Sequence, residues 1–303
     1  MKKNLVLGLI NYYTFYEFQK FVKSLRNSGY RDDIVFFVGD GMSPFSIRKL
    51  KKFQVKIIKF NTIYELPEGN LAGKKYQFNP QTTHNNYRWY LYYDFLEKNR
   101  LNYNQIFLTD IKDVYFQKSP FLIKSSQKLI FFLEGKDKTI GEDVVYNSKW
   151  VEHIYGKEGL ERIKNNFISC CGTILGYSEE IFRYVKHLLE EYDKISDCSI
   201  TLDQGIHNYL LYTNVFKEYD LIPNEAGEVL TIANERNYIV GNDNIVRTLS
   251  GDVFKVIHQF DRIDSIVNLT NYLFSEVGFL NWLYKKLYRI DLTIHRLLLK
   301  FKI

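Results

Sequence analysis

The chain of 303 residues is poor in cysteine and proline, and it has no long apolar run. Its three cysteines, Cys170, Cys171 and Cys198, are odd in number, and two of them are adjacent. No CxxC or Cys/His metal spacing accompanies them, which excludes a disulfide framework and a zinc module and fits a reducing cytoplasm. The five prolines form no linker, and no internal repeat is evident. The opening "MKKNLVLGLINYY" carries six apolar-run residues, Leu5 to Ile10. That is short for a signal-peptide core, no small-residue cleavage site follows, and the run reads as a first buried strand. Nothing reaches the length of a membrane-spanning helix.

Other absences narrow the function. The chain does not open with GxGxxG, and no GxxxxGK[ST] occurs, which argues against dinucleotide oxidoreductases and P-loop enzymes. Lysine and arginine total 41 against 35 acids, a net +6, but no basic run exceeds three residues and no nucleic-acid-reading motif is present. The mild excess therefore points to a local basic patch, not to nucleic acid. Aromatics are plentiful at 17%, almost all Tyr and Phe. Because Lys, Asn and Ile are frequent too, coding bias explains them better than a set of sugar-stacking platforms.

The first 110 residues alternate strand-like and helix-like segments. "NLVLGLI", "DDIVFFVGD", "VKIIKF" and "NQIFLTD" are apolar runs of strand length. "FYEFQKFVKSLRNSGY" places Phe15, Phe18, Phe21, Val22 and Leu25 on one helical face and stops at Gly29. Ser43-Pro44 opens a short helix, residues 61–83 read as a polar loop, and "HNNYRWYLYYDFLEKN" is helical by spacing. Apolar strands alternating with helices predict an α/β fold with a Rossmann-like, mostly parallel sheet covered on both faces. Downstream, "KLIFFLEG", "NFISCCGTILGY", "GEVLTI" and "VFKVIHQF" read as strands, and "SEEIFRYVKHLLEEYDKI" and "LDQGIHNYLLYT" as helices. One domain spans 1–275, followed by a basic amphipathic helix over 276–303.

Sheets of this kind bind ligands beyond the carboxyl ends of their strands. Asp110 stands at such an end in "FLTDIKDV", with Asp113 three residues on. Two carboxylates there can hold Mg²⁺ or Mn²⁺ and leave positions free for phosphate oxygens. Each candidate also has an ordinary structural reading. Asp113 could cap a turn, Arg88 could pair with Asp94 or another surface acid, Asp203 could be a first-turn acid, and His258 could be a satisfied core histidine.

Taken in order, the "TDIKDVYFQKSPF", "CCGTILGYSEE", "TLDQG" and "VIHQFDR" segments resemble the GT-A nucleotide-sugar-dependent glycosyltransferases, closest to the retaining galactosyltransferase and glycogenin-like group and its bacterial and viral relatives. The resemblance implies transfer of a sugar from a nucleotide diphosphate, UDP-linked first and GDP-linked second, to a hydroxyl of a glycan or lipid-linked acceptor in surface polysaccharide assembly. It implies a metal site of Asp110, Asp113 and His258, with Asp110 also at the donor. Arg88 reaches the donor and steadies Asp110. Asp203 holds the donor sugar's hydroxyls, and Gln204 lies near the reacting carbon. Leu9, Asn11 and Asp40 face the base and ribose, and Arg262 faces the phosphates. Cys171, Gly172 and Thr173 line the acceptor side. The acids are spaced Asp-x-x-Asp where the family has Asp-x-Asp, so either could be the main ligand. Retention would need no protein base, whereas inversion makes Asp203 the candidate base. A non-catalytic carbohydrate-binding or scaffold protein is the alternative.

The last segment, "FLNWLYKKLYRIDLTIHRLLLKFKI", puts Leu283, Leu287, Ile290, Ile294, Leu297, Leu298 and Phe301 on one helical face, with six Lys/Arg against Asp291. Such a helix suits an anionic membrane surface and would make the enzyme peripheral on the inner membrane face. It equally suits packing on the domain or on a second copy.

Overall fold

The computed structural model describes residues 2–61, 63–65, 75–77, 83–195, 202–232, 235–274 and 279–300. Along the chain, β1 (Lys3–Ile10), α1 (Phe15–Asn27), β2 (Asp33–Gly39), α2 (Pro44–Lys51) and β3 (Val55–Phe60) follow one another. A ribbon of β4 (Ile63–Glu65) and β5 (Lys75–Gln77) then falls inside the stretch expected to be a loop, and most of the rest of that stretch lies outside the described residues. Next come α3 (Thr83–Asn99), β6 (Tyr103–Thr109), β7 (Val114–Phe116), β8 (Leu129–Leu133) and α4 (Asn147–Ile163). They lead to β9 (Ser169–Tyr177), α5 (Ser178–Tyr192), α6 (Asp203–Tyr212), β10 (Asp220–Ile222) and β11 (Val229–Thr231). A hairpin of β12 (Tyr238–Val240) and β13 (Val246–Thr248), then β14 (Val256–His258), α7 (Asp264–Phe274) and α8 (Phe279–Lys300), complete the order.

Local chemistry explains the first helices. Glu17 turns back to accept from the Thr14 backbone N–H at 2.8 Å, a capping box that starts α1, and Gly29, at φ +88°, carries the chain away from its end. Ser43 caps α2 by accepting from Ser46 N at 3.2 Å, with Pro44 in the first turn. No single helical period marks α4 in the sequence, because Gly156, at φ +66°, breaks it into two helices.

The central sheet has seven strands in the order β10-β8-β9-β6-β1-β2-β3. β6, β1, β2 and β3 are mutually parallel, and β9 runs antiparallel between β6 and β8. Side chains alternate across it as strand geometry requires. Leu5 and Leu7 pack on the layer of α3, α5 and α6 with Trp89, Tyr184 and Ile206, while Val6 and Ile10 pack with Phe18, Phe21 and Val22 of α1. Both faces are thus covered, which is why the strands are apolar throughout.

Two irregularities shape one end of this sheet. Between β8 and β9 the register jumps from Phe131↔Ile174 to Phe132↔Cys170, so Cys171, Gly172 and Thr173 have no partner on β8. A smaller sheet, β11-β14-β7, crosses beside it, with His258 of β14 opposite Val114 of β7. The C-terminal helix α8 packs on α1 and α2, where Tyr288 meets Phe15 and Phe45, and Tyr288 and Leu292 are buried. Each such burial contributes about 1.5–3 kcal/mol at most. No helix among the described residues is long and apolar enough to cross a membrane.

Candidate functional site

The carboxyl ends of β6, β1 and β2 lie side by side because these strands are parallel neighbours. That places Asp110, Asn11 and Asp40 along one edge. Leu9 is half-buried in β1, and the Asn11 side chain folds across to β2, with Oδ1 accepting from Tyr12 N and Gly41 N, each at 3.1 Å. A β carbon on Gly39 would stand 2.3 Å from the Asn11 side chain, so this crossing requires glycine.

Asp110 follows β6 directly, and its N–H donates to the Gly172 carbonyl at 2.8 Å. Asp113 precedes β7, and β7 pairs with β14 so that Val114 faces His258. This pairing brings the late histidine to the acids. His258 Nε2 lies 3.4 Å from Asp110 Oδ2 and 3.9 Å from Asp113 Oδ1. The three residues offer ligand atoms within 4.8 Å of one another. Nε2 is buried and makes no hydrogen bond among the described residues, although two carboxylates stand before it. A nitrogen and two carboxylates converging without hydrogen-bond geometry fit a divalent cation with mixed N/O ligands. On its far side, His258 Nδ1 lies 3.5 Å from Cys170 Sγ, which orients the ring. Gly172 is indispensable here, since a β carbon would stand 2.5 Å from both Asp110 Oδ2 and His258 Cε1.

The electrostatics follow from this packing. Burial raises the Asp110 pKa, but Arg88 and then His258 outweigh it and hold the carboxylate well below its ordinary range. Asp113 is pushed up to about 6, first by burial and then by the neighbouring Asp110 and Asp261 carboxylates, against His258. Burial opposes the His258 imidazolium, yet Cys170, Asp110 and Asp113 hold its pKa well above the ordinary value. The carboxylates supply the charge in that set, because burial pushes the Cys170 and Cys171 thiols up and keeps them protonated. Neither thiol has the makings of a nucleophile.

Behind Asp110 stands Arg88. It does not pair with Asp94; its Nη1 donates to Asp110 Oδ1 at 2.5 Å, and its Nη2 to Asp203 Oδ2 at 2.6 Å and to Cys171 Sγ at 3.5 Å. Asp203 is 2% exposed and its other oxygen accepts from Gln204 N at 2.9 Å. Asp203 is expected at the donor sugar or as a base; both of its oxygens are engaged and shielded from solvent, and it anchors Arg88. Thr173, expected on the acceptor side, is sealed within the sheet, and Gly172 packs against the metal-ligand candidates. Of that trio, Cys171 borders Gln204, with Sγ 4.0 Å from Oε1.

Gln204, half-buried, donates through Nε2 to Glu134 Oε1 and Asn147 Oδ1, each at 3.1 Å. Sequence reasoning passed over both partners. Glu134 carried the same signal as Asp110, an acid directly after an apolar strand in "LIFFLEG". Burial raises its pKa, against the Gln204 hydrogen bond and the fields of His258 and Arg262. Arg262 is exposed in the turn after β14, near enough for that field to count. Beyond Asn147, Tyr146 and Trp150 form an aromatic pair with ring centroids 5.7 Å apart. The exposed Val144 and Val145 extend its apolar rim.

No protein-family model matches the chain, and no curated protein matches it.

Proposed function

We propose that this protein is a metal-dependent glycosyltransferase with a GT-A-type fold, moving a sugar from a nucleotide diphosphate to a hydroxyl of a glycan or lipid-linked acceptor. The observation that carries this reading is the convergence of Asp110, Asp113 and His258 at the end of a parallel strand, beside the ends of β1 and β2. Mg²⁺ or Mn²⁺ held by these three side chains would supply Lewis-acid stabilisation of the charge that grows on a leaving diphosphate.

The chain's own groups take the other tasks. Arg88 holds Asp110 ionised and aimed at the cation position, and Asp203 fixes Arg88. Arg262 offers an exposed cation to the phosphates. Asn11 and Asp40 border the space for a nucleoside, and the buried Asn11 Nδ2, which has no hydrogen-bond partner among the described residues, is a donor awaiting an acceptor there. Gln204 is held rigid by Glu134 and Asn147, which fixes its amide at the edge of the site. Glu134 is the carboxyl best suited to take an acceptor proton, since burial raises its basicity. The Tyr146–Trp150 pair offers an aromatic face of the kind that covers the apolar side of a hexose.

A thermal-shift screen of UDP- and GDP-sugars, with and without Mn²⁺, tests the reading. Stabilisation by a nucleotide sugar only when metal is present, lost in Asp113→Asn with the fold intact, is the expected result. If no nucleotide sugar stabilises the protein in either condition, the proposal fails.

A further inference from the structure

Helix α8 docks by a different side from the one its sequence advertises. Leu287, Ile290, Ile294, Leu297 and Leu298 recur at helical three- and four-residue spacing, yet each is between 49% and 57% exposed. The docked side lies roughly 150° round, nearly opposite, by the roughly 100° advance per residue of an α-helix. There Tyr288 and Leu292 are buried, His295 Nε2 lies 2.7 Å from the Asp40 carbonyl oxygen, and Arg296 Nη2 donates to the Tyr12 carbonyl at 3.1 Å. The helix is thus fastened to the domain while its most apolar stripe faces outward. A contiguous apolar stripe of that length marks a surface made for contact.

Charge identifies what it contacts. The segment carries Lys285, Lys286, Arg289, Arg296, Lys300 and Lys302 against the single acid Asp291. At helical spacing Lys286 and Arg289 fall on one border of the stripe, and the Arg289 side chain is exposed. A second copy of this chain would bring an equally basic face and be repelled. An anionic lipid surface satisfies the apolar stripe and the cations together.

We propose that α8 seats this protein on an anionic membrane, with Leu287, Ile290, Ile294, Leu297 and Leu298 in the boundary between headgroups and acyl chains. The inner side of the same helix bonds the carbonyls of Tyr12 and Asp40, which follow β1 and β2. Seating therefore holds the ends of those strands at a fixed attitude to the lipid. The inference stands on the helix alone and does not depend on glycosyl transfer.

Vesicle sedimentation with the full-length chain tests it. The expected result is binding to mixed phosphatidylglycerol–phosphatidylcholine vesicles at least about tenfold tighter than to phosphatidylcholine alone, weakened by salt. Ile290→Gln/Ile294→Gln, at two exposed positions, lowers that binding about tenfold or more with an unchanged melting temperature, and Arg289→Gln weakens only the anionic-lipid component. Equal partition to both vesicle types, unchanged partition of the double variant, or self-association of wild-type protein with no vesicle binding would each overturn the proposal.

Discussion

Arg88 donates to Asp203 at 2.6 Å in a part of the protein closed to solvent, and the same guanidinium holds Asp110. A buried ion pair is costly to break from one side, because the remaining charge is stranded in a low-dielectric interior. Arg88→Met and Asp203→Leu are each expected to lose about 3–5 kcal/mol in urea unfolding. The double variant should recover a substantial part of that loss. Singles and double that fall equally would show that the pair carries no mutual stabilisation.

Gly172 lets β9 pass beneath the acids and the histidine. Gly172→Ala forces a β carbon into Asp110 and His258, and overpacking of this kind typically costs about 1–3 kcal/mol. Displaced ligands should weaken Mn²⁺ binding by roughly 10- to 100-fold in isothermal titration. Wild-type affinity for Mn²⁺ in this variant would exclude the cluster as the metal site.

His207 is buried between Tyr184 Oη at 2.9 Å and Ser169 Oγ at 2.8 Å, and burial followed by the field of Arg88 lowers its pKa to about 3. Its ordinary value is 6.5, so the unfolded chain binds the proton that the folded chain refuses. The stability this histidine contributes is present above pH 6.5 and is lost as pH falls toward 3. The melting temperature should therefore drop through that window, by on the order of several kcal/mol in stability. His207→Gln should flatten this acid limb while lowering stability at neutral pH. An identical pH slope in wild type and variant would assign the acid sensitivity elsewhere.

Glu134 ties Gln204 to β8, and burial raises its pKa, which makes its carboxylate a stronger proton acceptor. Under the glycosyltransferase reading, Glu134→Gln should reduce kcat by about 10²- to 10⁴-fold with little change in the donor's KM. The acid limb of the rate profile should vanish with it. A variant with undiminished kcat would leave retention without a protein base as the mechanism.

Tyr146 is exposed and touches Trp150, so removing its ring should leave the fold alone. Tyr146→Ala is expected to raise the acceptor's KM roughly two- to tenfold through lost aromatic contact. The donor's KM should not move. A donor effect instead would place the aromatic rim on the other substrate.

Much of the architecture could be read directly from residue patterns. The strand runs of β1, β2, β3, β6, β8 and β9, the amphipathic α1 and α5, and Asp110 at a strand end all follow from periodicity and from the rule that parallel sheets bind ligands at their carboxyl edge. Where the pattern was interrupted, reading failed. Gly156 split α4 into two short phases, and the three-residue strands β7, β12 and β13 are too brief for any period to register. Glu134 was visible in principle, but an acid after an apolar strand is common, and nothing in the linear order distinguished it.

The sequence by itself determined which segments are buried, and hence an α/β sheet covered on both sides, because apolar burial depends on local pattern more than on partner identity. It also determined the amphipathic C-terminal helix. Only the tertiary structure decided which side of that helix docks, since Tyr288, Leu292 and His295 prevail over a more apolar stripe by shape and hydrogen bonding. Only pairing across the small sheet, His258 opposite Val114, decided that a histidine near the end of the domain meets Asp110 and Asp113. Pairing of that kind depends on register between strands far apart in the chain, and no local preference encodes it.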